Sequence, residues 1–423
     1  MNSFSKNICE VISEPAGIKL SLETNPRIFE RIFFKDSMLK FFPFGEIFLS
    51  DKQGLIVTNY VLLEGMKLSI KLGFPEDKDD NGNPIGGYMQ HDYAWSEDQI
   101  NDSVRDTEYI SGINSMIVIS NSFMNDYINP TAYKQQPSTI ARMIAEDVFK
   151  IQDPNKIHID ETNNDLNHIW YQGNRTHRHF LENTLVQKAY GSKIQGYDKT
   201  PFVSFINCNG EFYFCSYATL FNQTPIATYE QKIDLNKVMN YYLIQDIHFA
   251  AGGVPLNKKV YNQDINRLED ASVLKDKKPM MSKETILLKD KILKLNIATD
   301  KYPVYKQNTT QTSAIHNYGI YEEGDLDLYE AQNNFMYQNS CLAFRIEITI
   351  LFNPKAISGK VIELKIKDFV NEDQYSPSLS GNWLIIDSEH HMDRDATIYS
   401  HLTLAKPSIS FAKNWPYNAN IIG

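Results

Sequence analysis

The chain has 423 residues, 42% hydrophobic and 22% charged, which suits two or more folded domains with a sizeable core. Its formal charge of −10 argues against gripping nucleic acid by neutralising phosphates, although net charge leaves room for a local basic patch. No apolar run approaches the ~20 residues that span a bilayer, so no stable membrane insertion is expected.

The start, MNSFSKNICEVISEP, lacks a charged-then-apolar leader pattern, which makes cytoplasmic synthesis the expectation. Cys9, Cys208, Cys215 and Cys341 form no CxxC pair, so the reading is reduced thiols rather than a zinc site.

Taken in chain order, the residues up to 115 read as β. GIKLSL alternates Ile18, Leu20 and Leu22 against polar neighbours, as a half-buried strand does. FFPFGEIFLSDKQGLIV has strand-like runs around a turn signal, Asp51 to Gly54. EGMKLSIKLGF puts Met66, Leu68, Ile70 and Leu72 on one face. PEDKDDNGNPIGGYMQHDY reads as a long hairpin loop, after which YISGINSMIVISNSF resumes strand character and closes the first barrel.

From Pro137 the apolar period changes. PSTIARMIAEDVFK aligns Ile140, Met143, Ile144 and Val148 as a helical stripe, with Ser138 as the expected N-cap. THRHFLENTLVQKAYG aligns Phe180, Leu181, Thr184, Leu185 and Ala189, with Gly191 as the stop. IHIDET between them reads as a short strand. PFVSFINCNGEFYFCSYATLF is a hairpin turning at Asn209-Gly210. A helix is expected near NKVMNYYLIQDIH, and strands return in CLAFRIEITILF, KVIELKIKDF, GNWLIIDSEH and ATIYSHLTLA. LLEGMKLSIKLGF and AISGKVIELKIKDF both set a glycine just before an alternating strand, which suggests two β-barrels of one kind, the second split by an insertion.

Several stretches invite a chemical reading. DKDDNGNPIGGY begins like a calcium loop with Asp77, Asp79, Asn81 and Gly82, but position twelve is Tyr88 and the flanks are not helical, so a hairpin tip is expected. His177 and His179 flank Arg178 at a helix start, about 200° apart, and read as surface residues. Trp95, Trp170, Trp383 and Trp415 read as core or interface anchors. No GxSxG, HExxH or P-loop pattern occurs. The densest cluster is Asp387, His390, His391, Asp393 and Asp395. One reading is a metal-dependent hydrolase. Adjacent residues on a strand face opposite ways, however, so His390 and His391 share an ion only if the strand breaks there. The alternative is two strands around a polar turn, with no metal, no cofactor and no catalytic residue.

GNWLIIDSEHHMDRDATIYSHLTLAKPSI resembles the final strands of phage tail (baseplate) hub proteins, a family similar to the trimeric hub of contractile tails and to type VI secretion spike hub domains. Trp383 opens the first strand, His390 stands near its end, and Tyr399, Leu402 and Leu404 carry the second. FNPKAISGKVIELKIKD, with Gly359 at its turn, and the helix–strand–helix order of 138–191 followed by a glycine-led hairpin resemble the family in the same order.

The resemblance implies a mainly β fold with α+β insertions. It would comprise a first β-barrel at 1–115, an α/β insertion at 116–200, and a second, split barrel at 201–225 and 340–408. An irregular or helical insertion at 226–339 and a C-terminal tail at 409–423 complete it. The implied role is structural: a homotrimeric ring in the virion tail, made in the host cytoplasm, joining a six-fold tube to a three-fold spike and lining the DNA channel. Its implied partners are the tail tube protein, the central spike protein and other baseplate proteins. The other reading of the same strands is a different virion β-protein, such as a baseplate wedge, tube subunit or adaptor.

Overall fold

The computed structural model describes residues 7–13, 17–23, 28–50, 65–78, 84–100, 113–162, 169–189, 202–230, 240–245, 259–262, 267–270, 312–315, 342, 344–367, 374–376, 379–395 and 397–406. The fold is mostly β. Seven strands lead: β1 (Ile8–Ser13), β2 (Ile18–Ser21), β3 (Phe29–Ser37), β4 (Lys40–Ser50), β5 (Lys67–Lys78), β6 (Pro84–Ile100) and β7 (Ile113–Ser120). An α/β unit follows, with β8 (Ala132–Tyr133), α1 (Pro137–Met143, continued by a π turn over Ile144–Val148), β9 (Ile157–Ile159) and β10 (Trp170–Tyr171). Its second helix, α2, runs through His177–Phe180, a π turn at Leu181–Leu185 and Val186–Lys188. Then come β11 (Phe202–Ile206), β12 (Phe212–Ser216) and α3 (Tyr217–Phe221). The remaining strands are β13 (Thr228–Glu230), β14 (Asn240–Gln245), β15 (Lys259–Asn262), β16 (Arg267–Asp270), β17 (Thr312–Ile315), β18 (Phe344–Leu351), β19 (Val361–Lys365), β20 (Gly381–Met392) and β21 (Ile398–Lys406). No helix among the described residues is long and apolar enough to cross a membrane.

Thirteen of these strands form one sheet, and within it one strand order occurs twice. The first set reads β1-β5-β6-β7-β4-β3 and the second β13-β19-β20-β21-β18-β14. Gly65 and Gly359, at φ +82° and +86°, each stand two residues before the second strand of their set. That left-handed backbone is open to glycine and strained for other residues. The ladders also slip at matching places: between Trp95 and Glu97 where β6 meets β7, and between Ile385 and Asp387 where β20 meets β21. One difference stands out: β1 runs antiparallel to β5, whereas β13 runs parallel to β19.

Alternation along strands such as β4 and β21 buries one face. Ile32, Phe34, Ile47, Leu49, Leu68, Ile70 and Leu72 build a core under the first set, and Ile346, Ile348, Ile350, Ile362, Leu364, Trp383, Leu402 and Leu404 build a separate one under the second. The α/β unit has its own core around Phe41, Ile140, Ile144, Trp170, Phe180, Leu185 and Phe212. A fourth cluster, with Phe205, Tyr213, Leu220, Val361 and Leu384, joins that unit to the second set.

Several expectations need correction. β7 pairs with β4 and β6, so the first set runs to Ser120 and not to 115. The β11–β12 hairpin, expected in the second barrel, pairs instead with β9 of the α/β unit, Phe212 opposite Ile157. The expected helix near Tyr241 is a strand: Asn240–Gln245 lies along β18, where aromatic and β-branched residues suit a ladder. Within 226–339, the other described segments are also strands, and β15, β16 and β17 form a small sheet.

Ser138 is not the cap of α1. Pro137 takes the first helical position, Gln136 becomes the cap, and the Ser138 N–H donates to Thr162 Oγ1 at 3.1 Å. At α2, Thr176 caps, with its hydroxyl accepting from the His179 N–H. The helix ends where Ala189 turns extended, ahead of Gly191, which lies outside the described residues, as do the 51–54 turn and Cys341.

Candidate functional site at the junction of the two strand sets

The two sets meet strand on strand. β20 pairs with β19 over Gly381–Leu384; past its slip, residues Asp387–Met392 take β3 as neighbour, antiparallel. Near the start of this seam is Asp36, 1% exposed. Its carboxylate accepts the Cys208 N–H at 2.7 Å, the Ser358 N–H at 3.2 Å and the Ser388 hydroxyl. One side chain thus ties β3 to the hairpin of the α/β unit, to the turn before β19 and to β20. Burial pushes the Asp36 carboxyl above its ordinary range, against the three donors that pull it down. The chain of polar contacts continues inward from Ser388: His390 Nε2 lies 3.4 Å from its oxygen, and His390 Nδ1 lies 2.8 Å from Ser400 Oγ.

A second knot locks the α/β unit to the second set. Glu211, in the hairpin turn, meets Lys360 Nζ at 2.8 Å, the Tyr213 hydroxyl at 2.6 Å and Asn207 Nδ2 at 3.1 Å, with His158 Nε2 at 3.5 Å. Burial would raise this carboxyl, but His158, Lys360 and Tyr213 together hold it well below the usual carboxylate range. Gly210, at φ +69°, packs against the His91 ring of β6, where an added Cβ would come within 2.6 Å. The hairpin tip therefore touches both strand sets. None of Asp36, Glu211, Ser388 or Lys360 carries a local motif, and sequence reasoning passed over all four.

The structure keeps the five residues of the proposed metal cluster apart. β20 runs unbroken through both histidines, which point to opposite faces. His390 is fully buried beside Phe352, and its imidazole is held down to about 3 by burial and then by His391. His391 stacks between Phe33 and Tyr399, with ring centroids 5.9 and 5.2 Å away. Glu389, bonded by His391 and paired with Lys35, is lowered to about 2. Asp387 faces Ser37 and Thr403. Asp393 and Asp395 belong to the turn, where Asp395 accepts the Thr397 N–H. Among the described residues no group of three His, Cys, Asp or Glu side chains is arranged to hold a metal ion.

The calcium-like stretch is a hairpin, with Asp77 in β5 and Tyr88 in β6; Asp79, Asn81 and Gly82 lie outside the described residues. His177, expected at the surface, is buried edge-on to Tyr127, because the Thr176 cap turns the first helical residue inward; His179 is exposed. Trp170 and Trp383 are buried core residues, Trp95 lies in β6, and Trp415 is outside the described residues.

No family model matches this chain. No curated protein matches it either. Among solved structures it is similar to a tail protein from Neisseria meningitidis MC58, at 10% identity and TM-score 0.47, over 95% of this chain and 97% of that one. It is similar to the 43 kDa tail protein of prophage MuSo2 from Shewanella oneidensis, at 11% identity and TM-score 0.49, over 95% and 100%. A third likeness, at 7% identity and TM-score 0.43 over 91% and 74%, is to an Escherichia coli component of the type VI secretion system described as structurally similar to the T4 phage tail proteins gp27 and gp5. The first two are described as tail proteins and the third as a type VI secretion component.

Proposed function

We propose that this chain is a tail hub: a structural subunit of which three copies form a ring at the end of a tail tube, above a three-fold spike. The observation that carries the proposal is the doubled strand order within one continuous sheet, β3 against β20. Two similar units side by side in each chain give three copies six similar positions, which matches a six-fold tube. The α/β unit and the segment between β14 and β18 make the two units unlike at their margins, which leaves three-fold symmetry for a spike.

In this reading the two strand sets are the two barrel-like domains. The Asp36 and Glu211 knots hold them and the α/β unit as one block, so that the ring is a rigid coupler and not an enzyme. The partners are the tube protein, the spike protein, other baseplate proteins and a second copy of the chain. DNA would pass through the centre, where a chain of net charge −10 offers little to retard it. Synthesis takes place in the host cytoplasm and the working place is the virion tail.

A cryo-EM map of the assembled tail tests this. The expected result is three copies around the tail axis, each giving two β units to one ring. Six copies giving one unit each, or a position off the axis, would overturn it.

A further inference from the structure

The strand-order repeat also says how one copy meets the next. We infer that β14 of one copy pairs antiparallel with the outer half of β6, Glu97–Ile100, of the neighbouring copy. This rests on the hub reading and adds the surface that closes the ring.

Inside the chain, the two sets join through β3 and the second half of β20. The repeat gives each of these strands a counterpart. β14 ends the second set as β3 ends the first, and β6 occupies the place of β20. The registers make the match residue by residue. Phe34 faces Gly45, which faces Val118, which faces Trp95, the last partner before the slip of β6. Leu243 faces Ile346, which faces Leu404, which faces Ile385, the last partner before the slip of β20. Leu243 therefore stands where Phe34 stands, Ile244 where Lys35 stands, and Gln245 where Asp36 stands. Counting from the two slips, Glu97, Asp98, Gln99 and Ile100 correspond to Asp387, Ser388, Glu389 and His390.

The seam inside the chain pairs Ser388 with Asp36, Glu389 with Lys35 and His390 with Phe34. Carried to the next copy, it sets Asp98 opposite Gln245, Gln99 opposite Ile244 and Ile100 opposite Leu243. Both edges are open among the described residues. β5 accompanies β6 only as far as Ala94, so Glu97–Ile100 bond to β7 alone, and β14 bonds to β18 alone. An open edge is a template for another strand. A head-to-tail contact of this kind closes into a ring when its rotation fits, and grows into a filament when it does not. In this reading the β3–β20 seam sets that rotation. Repeating that seam between copies alternates inner and outer junctions of one geometry around the ring.

Paired cysteines test the register in full-length protein assembled with its tail neighbours. One variant carries Gln99→Cys with Ile244→Cys, and another Asp98→Cys with Gln245→Cys. Antiparallel partners alternate between close and wide spacing, so one of two successive pairs suits a disulfide. Oxidation is expected to link three copies covalently in one of the double variants and in none of the single ones. The unsubstituted particle gives an independent reading, since its map should show β14 alongside the neighbour's β6. A three-copy ring on the tail axis in which those strands lie apart and neither pair cross-links would overturn this inference while leaving the hub reading in place. Any other copy number, or an off-axis position, would overturn both.

Discussion

Ser388 and Asp36 are direct partners across the β3–β20 seam, and the Ser388 hydroxyl donates to Asp36 Oδ1. Their side chains are 352 residues apart in sequence, so this contact forms only when the two strand sets have come together.

Asp36→Ala should therefore separate the units before it harms either one. It leaves the Cys208 and Ser358 amides buried without an acceptor, at roughly 1–3 kcal/mol for each unmet group, and leaves the Ser388 hydroxyl only the His390 ring at 3.4 Å. A loss of about 3 kcal/mol is expected in urea unfolding, and about half of that for Asp36→Asn, which keeps one acceptor oxygen. An unchanged midpoint for Asp36→Ala would show that the seam does not depend on this carboxylate.

The histidine pair is expected to serve packing. His390→Gln with His391→Gln should leave the metal content of the purified protein unchanged, measured by mass spectrometry of the metals. The stability loss should be about 1 kcal/mol, chiefly from the His390 bond to Ser400. Loss of a bound metal together with loss of assembly would speak for the hydrolase reading.

Acid should weaken the fold in two stages. His390 is lowered from 6.5 to about 3, and His91 from 6.5 to about 4, by burial first. An unfolded chain takes up those protons before the folded one does, so their contribution is complete above pH 6.5 and declines as pH falls toward the folded values. Glu389, lowered from 4.5 to about 2, adds stability above pH 4.5 that is lost between there and 2. Asp36 has the opposite sign: its raised carboxyl favours the fold at low pH and loses that contribution as pH rises through its folded value. Melting curves from pH 7 to 3 should fall, and His390→Gln should flatten the fall. A flat curve for the parent protein would contradict the burial of these rings.

The two positive-φ glycines should differ in sensitivity. At Gly359 an added Cβ would meet the Phe205 ring at 2.7 Å, whereas at Gly65 it meets only the flexible end of Met124 at 3.0 Å. Alanine at either position costs about 1–2 kcal/mol for the left-handed backbone. Gly359→Ala should cost more than Gly65→Ala in thermal unfolding, and the reverse order would mean that the Phe205 contact yields easily.

Cys9, Cys208 and Cys215 are free and buried, and burial raises each thiol above its ordinary range. Thiol reagent should leave these three untouched in the native protein and find all four cysteines after denaturation without reductant. Two or fewer reactive groups in the denatured sample would indicate disulfides.

Strands with strict alternation were legible because their burial is local in pattern: Leu68, Ile70 and Leu72 announce the inward face of β5. The shared glycine-then-strand motif was legible too, and it marks the repeat at Gly65 and Gly359. What escaped was settled at a distance. Asp36 sits between Lys35 and Ser37 with no local partner, and its donors lie 172, 322 and 352 residues away. NKVMNYYLIQDIH has an apolar run that suits helix or strand, and the open edge of β18 decides for strand. The hairpin of β11 and β12 was recognised, but its parallel neighbour β9 depends on a crossover that no local signal encodes.

In the first set, the arms β3 and β4 turn around at Met38 and Leu39. In the second, the matching arms β14 and β18 are parted by residues 246–343, which supply a sheet of their own. An appendage hung from a hairpin tip leaves the register of both arms as it was, so a lineage can lengthen, exchange or discard it without redrawing the ladder. Around the proposed ring it would recur at alternate stations only. Six similar seats would thereby become two interleaved triplets, one decorated and one bare, and a neighbour that reads the decoration would count three where the proposed tube counts six.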